Sequence, residues 1–509
     1  MQLLSPRKVT KTSKFKGTDP SMIESITPAL GKEKGTPLYT QLYRYIREAI
    51  EAGKLTSGSK LPAIRALSQH LGISKNTVEA AYGQLVAEGY VESKERGGYL
   101  IQPLDELWNP LPVHYVEMNK KRGDQANEVM NSTNRNDRRE SSFLPYEFRY
   151  GDIAFDRFPY DIWKSCLSQS VNDAAAAAPF GILGYGDRLG HLGLREELCD
   201  YVYQSRGAVC SPDQIFIGAG TQYTVSLLLQ ILGLRQAEFA MEEPGYNGVR
   251  SVLAGMDCRI TSIPIEADGI YVTALEQSKA KVAYVTPSHQ FPLGMVMSIE
   301  KRQRLLKWAS ASDALILEDD YDSEFRYGSR PVPSLKAMDY DDRVIYLGTL
   351  SKSFLPGARL SYVIVPRRLV PVMTERMANY SCSVSPMIQQ AVWLFIKQGH
   401  YGRHIRRMRR VYQARYRALT DAVSSTMGER VRIVGDSSGM HILLRVPGRD
   451  AMELVALAEQ AGCLVYPAAK HWSNPDAEAR EFVMLGFGGM QEDMLREGVR
   501  KLSMAWFAR

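Results

Sequence analysis

From Asn119-Lys120-Lys121-Arg122-Gly123-Asp124-Gln125-Ala126-Asn127 to Asn134-Arg135-Asn136-Asp137-Arg138-Arg139-Glu140 this chain has almost no apolar side chain. A segment that buries little apolar surface does not offset the entropy of being ordered, so no single core runs through it. The chain must fold as separate units on either side. The whole interval 103–145 reads as a flexible linker. Before it, residues 1–36 mix Lys, Ser, Thr, Gly and Pro with little periodicity and read as a flexible tail. The two patterned regions are 37–102 and 146–509.

In the first region apolar residues recur at helical spacing. Leu42, Ile46 and Ile50 share one face of a helix expected from about Tyr39 to Glu51, which Gly53 closes. Pro62 signals the start of a second, short helix carrying Leu67 and Leu71, and Gly72 supplies a tight turn. Ser74 is a good N-cap for a third helix through Thr77, Val78, Tyr82, Leu85 and Val86 to Gly89. Two helices so joined are a helix-turn-helix. Tyr90-Val91-Glu92-Ser93-Lys94 and Gly98-Tyr99-Leu100-Ile101 then flank Glu95-Arg96-Gly97, the pattern of a β-hairpin that serves as a wing.

Charge separates the regions as well. Residues 1–101 hold 15 Lys and Arg against 9 Asp and Glu, nearly all of the net +7. A basic end on a near-neutral body suits a polyanion, double-stranded DNA first, although a solvated lysine-rich tail (Lys8, Lys11, Lys14, Lys16) accounts for the charge equally well. The candidate DNA-binding residues are Ser74, Lys75, Asn76 and Thr77 at the start of the third helix, Arg65 on the second, and Arg96, Gly97 and Gly98 in the wing. The string Pro37-Leu38-Tyr39-x-Gln41-Leu42, Gly58-x-Lys60-Leu61-Pro62-x-x-Arg65-x-Leu67, Leu71-Gly72-Ile73-Ser74-x-Asn76-Thr77-Val78, Glu88-Gly89-Tyr90 closely resembles the GntR-type winged helix. It departs from the family pattern at Ala63, where serine is usual, and at Lys75, where arginine is commoner. By the family pattern the first change would drop one phosphate contact and the second would exchange a forked donor for a point charge, which leaves the operator sequence open but not DNA binding.

Residues 146–509 alternate short apolar strands, such as Ile215-Phe216-Ile217 and Val282-Ala283-Tyr284-Val285, with helical segments. That predicts an α/β fold with a smaller C-terminal part from about Ser385. With 45% apolar and 23% charged residues among 509, the chain buries large cores. No run of about 18 apolar residues and no signal-peptide pattern occurs, which argues against membrane spanning and secretion. Cys166, Cys199, Cys210, Cys258, Cys382 and Cys463 form no C-x-x-C pair and are expected reduced and mostly buried, in the cytoplasm. His400 and His404 stand four apart, a spacing that can bind zinc, but in the Arg-rich run 403–410 with no further ligand, so no metal site is expected.

Four distant pieces of this region meet the needs of one cofactor. Leu347-Gly348-Thr349-Leu350-Ser351-Lys352 ends a strand, and Arg359 follows seven residues after the lysine. The amine can form a Schiff base with an aldehyde, while Thr349, Ser351 and Arg359 bind a phosphate dianion. Leu315-Ile316-Leu317-Glu318-Asp319-Asp320-Tyr321 is a strand ending in carboxylates; alternation points Asp319 and Tyr321 the same way, toward a pyridine nitrogen and a ring hydroxyl. Gly218-Ala219-Gly220-Thr221 precedes an apolar helix, so backbone amides and Thr221 can receive phosphate. Tyr246, in Glu243-Pro244-Gly245-Tyr246, offers a face to stack on the ring. The cofactor these pieces predict is pyridoxal 5'-phosphate (PLP).

The order and strand context of these pieces resemble fold-type I aminotransferases, including Phe148-Arg149-Tyr150-Gly151 and Phe158-Pro159 at the entry. Winged helix, linker and aminotransferase-like domain together resemble the MocR/GabR subfamily of GntR regulators. Thr286-Pro287-Ser288-His289-Gln290-Phe291-Pro292 supports that likeness, since ordinary aminotransferases have Asn before the proline and these regulators an aromatic residue. The resemblance implies a mainly parallel mixed sheet, Lys352 as the Schiff-base lysine, Asp319 and Tyr321 as ring partners, Tyr246 stacking, and Thr221, Gln222, Ser351 and Arg359 around the phosphate. It also implies a homodimer, often head-to-tail. Where aminotransferases place an arginine for the substrate carboxylate, three residues before a phenylalanine, this chain has Met484; Arg480 lies nearby. Losing that contact is worth about 1.5–3 kcal/mol to an amino-acid ligand.

Three readings follow. The chain is a PLP-dependent transcription regulator that senses PLP or a small amine or amino acid, or a working aminotransferase with DNA binding secondary, or a protein that keeps the fold without the cofactor. Met484 weighs against efficient amino-acid turnover and tilts the effector toward PLP itself.

Overall fold

The computed structural model describes residues 26, 37–87, 90–94, 98–102, 144–176, 184–327, 332–435 and 438–507. Most of the expected tail and linker, together with Arg96 and Gly97, lie outside the described residues. The chain divides into two compact units, 1–133 and 134–509.

In the first unit, α1 (Leu38–Glu51), α2 (Ile64–Leu71) and α3 (Lys75–Ala87) precede the hairpin β1 (Val91–Lys94) and β2 (Gly98–Ile101). Pro62 stands two residues before α2, which begins after Ala63. Gly72 ends α2 at φ 65°, a left-handed conformation that glycine adopts without strain. The Ser74 hydroxyl accepts from Thr77 N at 3.1 Å, as an N-cap does. Leu42, Ile46, Ile50, Leu67, Val78, Tyr82 and Leu85 form one core with Val91 and Ile101 of the hairpin. Tyr82 ties it together, its ring edge-on to Tyr99 at 4.9 Å and its hydroxyl donating to Pro62 O at 2.9 Å. Ile26, which the sequence reading left in an unstructured tail, is fully buried in this core.

The second unit is built on an eight-stranded sheet ordered β4-β11-β10-β9-β8-β5-β6-β7. Its strands are β4 (Ile215–Gly218), β5 (Glu238–Glu243), β6 (Arg259–Glu266), β7 (Gly269–Ile270), β8 (Val282–Val285), β9 (Leu315–Asp320), β10 (Val344–Thr349) and β11 (Ser361–Ile364), with β3 (Tyr146–Glu147) before them. The run β10-β9-β8-β5-β6 is parallel, and β11 is antiparallel to both its neighbours. Alternate residues feed two cores on opposite faces: Phe239, Tyr284, Leu317 and Ile345 enter one, Ala240, Ala283, Ile316 and Val344 the other. Strands covered on both faces read as continuous apolar runs.

After the large sheet come the helix Pro386–Lys397 and the long helix His400–Met427. A four-stranded sheet follows, ordered β12 (Arg432–Val434), β13 (His441–Arg445), β16 (Phe482–Gly486) and β15 (Tyr466–Pro467). Cys463–Leu464, which is β14, pairs in parallel with β3, so the start of this unit closes onto its end. The cysteines are all free, but only Cys166 and Cys463 are buried and the other four are half-buried, against expectation. Cys210, Cys258 and Cys382 lie in loops, which run over the surface and cover a side chain less completely. His404 packs against Phe158, Phe354 and Phe395, which accounts for its place on the inner face of the long helix. Among the described residues no helix is long and apolar enough to cross a membrane.

Candidate functional site

Parallel strands that end together place their following loops along one edge of the sheet, where open α/β sheets hold ligands. Lys352 follows β10 on a turn fixed by Leu350 N to Leu360 O (3.0 Å) and Phe354 N to Leu350 O (2.9 Å). Its ammonium lies 4.2 Å from the centre of the Tyr150 ring. Burial lowers its pKa to about 8 against the opposing pull of Asp322 and Asp152. Such an amine is about half free base near pH 8, and the free base is the form that attacks an aldehyde. Covalent capture of PLP by the cofactor-free protein is therefore expected to accelerate up to about pH 8 and then level off, well short of the 10.5 of an ordinary lysine. Stopped-flow absorbance across pH checks this, and a rate still climbing steeply above pH 9 (about one unit past the expected plateau) contradicts it.

At the end of β9, Asp319 Oδ2 accepts from the Tyr284 hydroxyl at 2.5 Å, while its Oδ1 is buried with no partner. Burial raises this carboxyl to about 7 despite the bond from Tyr284, and Asp320 and Asp322 push the same way. A buried carboxylate without a cation is costly. A protonated pyridine nitrogen is the group that would satisfy Oδ1, so the residues present fit PLP. Tyr321 is also buried, and desolvation together with Asp322 holds its phenol proton on well above the ordinary tyrosine range.

The other end of the site suits a phosphate. Helix α4 (Thr221–Leu232) starts after Gly220, whose φ is 86°. A Cβ on Gly220 would lie 2.4 Å from Arg359 Nη2, so glycine lets the guanidinium approach the helix start. Arg359 itself has φ 49°, a left-handed conformation uncommon for a non-glycine residue. It donates to Ala219 O at 3.3 Å, and Thr349 Oγ1 is 3.1 Å from Ser351 Oγ.

A cavity of about 160 Å³ is lined by Thr221, Gln222, Tyr246, Asp319, Tyr321, Thr349, Ser351, Lys352 and Arg359, so every expected cofactor residue reaches one space. Tyr150, Gly220, Tyr284, Thr286 and Phe291 also line it. Gly220 stands in the turn already read as receiving phosphate, and Tyr150, Thr286 and Phe291 in motifs quoted for the resemblance; only Tyr284, inside an apolar strand, gave no signal of a site beyond hydrophobicity. Met484 is 3% exposed and packs with Phe291, Tyr321, Leu443 and Phe482. Arg480 is exposed on a short turn and does not line the cavity. Lys352 and Arg359 are the cations among the described lining residues.

In the first unit, Arg65, Ser74, Lys75, Asn76 and Gly98 are exposed and Thr77 is half-exposed. The Ser74 and Thr77 hydroxyls are 2.8 Å apart, so part of their hydrogen-bonding capacity is spent on each other. The exposed basic and amide groups, Lys75 and Asn76, occupy the first turn of α3.

Residues 38–101 match the family of bacterial regulatory proteins, gntR family, and residues 159–502 match aminotransferase class I and II. The HTH-type transcriptional regulator YdeL of Bacillus subtilis is 38% identical over 94% of this chain and 99% of its own length. The probable rhizopine catabolism regulatory protein MocR of Rhizobium meliloti is 30% identical over 94% of this chain and 96% of its own. The HTH-type pyridoxine biosynthesis transcriptional regulator PdxR of Corynebacterium glutamicum is 30% identical over 95% and 99%. Among solved structures, kynurenine aminotransferase of Pyrococcus horikoshii, crystallised with PMP and kynurenine, is 26% identical with a TM-score of 0.64, covering 76% of this chain and 95% of that one. Fold and site thus define a DNA-binding head joined to a fold-type I aminotransferase-like domain that takes PLP. The chain belongs to the MocR/GabR subfamily of GntR transcriptional regulators.

Proposed function

We propose that this regulator senses PLP, or a small amine or amino acid that reacts with bound PLP, and changes its hold on an operator accordingly. The observation that carries the reading is the pairing of a complete cofactor cavity with Met484 in the place of the carboxylate arginine. PLP supplies an aldehyde and an electron-withdrawing ring. In this reading Lys352 anchors it, Asp319 holds a proton at its ring nitrogen, Tyr321 faces its hydroxyl and Tyr246 stacks on it. Thr221, Gln222, Thr349, Ser351 and Arg359 hold the phosphate. The relative named for pyridoxine biosynthesis supports PLP itself as the signal.

Residues 37–102 read DNA through Arg65, Ser74, Lys75, Asn76, Thr77, Arg96, Gly97 and Gly98, with 103–145 as linker to the effector domain 146–509. The working form is a homodimer, head-to-tail, in the cytoplasm. A ligand shifts DNA affinity only by its differential affinity for two arrangements of the heads.

Intact Lys352, Asp319 and Tyr321 favour a second reading, residual transamination. Purified protein given an amino acid and an oxo acid is expected to show at most slow, partial conversion; sustained turnover of both overturns the pure sensing role. A separate expectation concerns the phosphate end. In Gly220→Ala the new methyl displaces Arg359 and strains a position at φ 86°. PLP affinity is expected to fall by about tenfold or more, which equilibrium dialysis of the cofactor measures.

A further inference from the structure

His289 and Asp322 form a buried pair to which no role has been given. His289 Nδ1 lies 3.0 and 2.9 Å from the two carboxylate oxygens of Asp322, and both side chains are 2% exposed. A carboxylate only accepts, so Nδ1 carries the hydrogen in this contact. The Tyr321 hydroxyl lies 2.9 Å from the same Nδ1 and donates to the His289 carbonyl at 2.9 Å. The His289 carbonyl takes the Tyr321 hydrogen, and the Nδ1–H that faces Asp322 lies within reach of the same hydroxyl oxygen.

Topology brings the pair together. Strands β8 and β9 are parallel neighbours with Val285 opposite Glu318, so the loops after them leave the sheet on one edge and join residues 33 apart in sequence. Gly439, at φ 71°, presses on the pair from the C-terminal part. A Cβ there would fall 2.0 Å from the imidazole Cε1 and 2.6 Å from Asp322 Oδ2. The Gly439 backbone is tied to Phe325 O at 2.7 Å and to the Tyr327 hydroxyl at 2.6 Å. Gly439 thus packs closely on the pair from that side, where any side chain would displace it.

We propose that His289 and Asp322 are positioning residues for the cofactor, holding the Tyr321 hydroxyl toward the PLP ring hydroxyl and setting the pH at which the lysine nitrogen joined to PLP loses its proton. The proposal rests on Lys352 as the anchor. Asp322 and Asp152 are the anions that act on Lys352, while the Tyr150 ring and His441 face it from other elements. The Asp322 charge favours the protonated nitrogen, and the imidazole N–H neutralises part of that charge. Removing the anion and removing the imidazole must then act in opposite directions.

The test is a pH titration of the visible absorption band of PLP-loaded wild type, Asp322→Asn, His289→Leu and His289→Asn, with Lys352→Ala as control. The midpoint is expected to fall by about one pH unit, tenfold in the proton's dissociation constant, in Asp322→Asn. It is expected to rise in His289→Leu and to return close to wild type in His289→Asn, whose amide nitrogen stands where Nδ1 stood. Unmoved midpoints, or both shifts in one direction, overturn the proposal, as does a change confined to the melting temperature. If Asp322→Asn does not fold, the two His289 variants decide alone, and equal midpoints in them overturn it. A wild type with no pH-dependent band that Lys352→Ala removes would instead defeat the anchor role of Lys352.

Discussion

Lys352→Ala is expected to abolish the covalent PLP absorption band and the PLP-dependent change in DNA affinity, while leaving cofactor-free DNA binding at the wild-type level. Lys352 is the only amine among the described residues that line the cavity. Nothing else there bonds covalently to an aldehyde. The phosphate contacts of Arg359 and the helix start, and the acceptor Asp319 Oδ1, remain, so PLP still binds non-covalently but on the order of 100-fold more weakly, about 2.8 kcal/mol. The winged helix folds around its own core. Its affinity for DNA therefore has no reason to change when no cofactor is present. Absorption spectroscopy with dialysis measures the first effect and DNA titration the second. A spectrum unchanged by the substitution would mean that the fold persists without cofactor chemistry.

Arg206→Met is expected to destabilise the large unit by about 3–5 kcal/mol, the usual cost of leaving one partner of a buried ion pair behind. Arg206 Nε donates to Asp320 Oδ2 at 2.6 Å and Nη2 to Ser288 Oγ at 2.5 Å, with side-chain exposures of 5% for the arginine and 0% for Asp320. Burial alone pushes the Asp320 carboxyl up, but Arg206 and the Tyr346 hydroxyl, 2.7 Å away, overcome it and hold the group below its ordinary value. A depressed folded-state pKa gives stability that is present above the unfolded pKa and is lost as pH falls through the folded one. Without Arg206 that advantage disappears, and the acid side of the stability profile moves to higher pH. Chemical unfolding of the full chain at neutral and mildly acidic pH tests both points. A loss below about 1 kcal/mol at neutral pH would place the pair among those that contribute little.

That the proposed cofactor residues would meet in one cavity was legible in the sequence because several stand at punctuation marks of the fold. Lys352, Asp319 and Tyr321 stand at strand ends, and Thr221 and Gln222 open a helix after glycine, where composition changes abruptly. Tyr284 was not legible as a site residue. It sits inside an apolar strand, and only the close parallel pairing of β8 and β9 brings its hydroxyl to Asp319. The His289–Asp322 pair was hidden for the same reason, since its partners belong to loops joined only through sheet order. The winged helix was read closely because its contacts are local and its caps and turn are written in Gly72 and Ser74. The pairing of β3 with β14, across more than 300 residues, carries no local signal.

The central claim is that the DNA-binding unit answers to PLP held by Lys352. It is tested most directly by fluorescence anisotropy of the cofactor-free protein on duplex DNA from upstream of its own gene, at fixed salt, titrated with PLP and then with candidate amines. Fixed salt separates specific binding from the charge-driven background. The expected result is a change in affinity or stoichiometry on adding PLP, or on adding one amine afterward, that Lys352→Ala does not show. Specific DNA binding that is identical with and without PLP and with every amine, in wild type and Lys352→Ala alike, would contradict it.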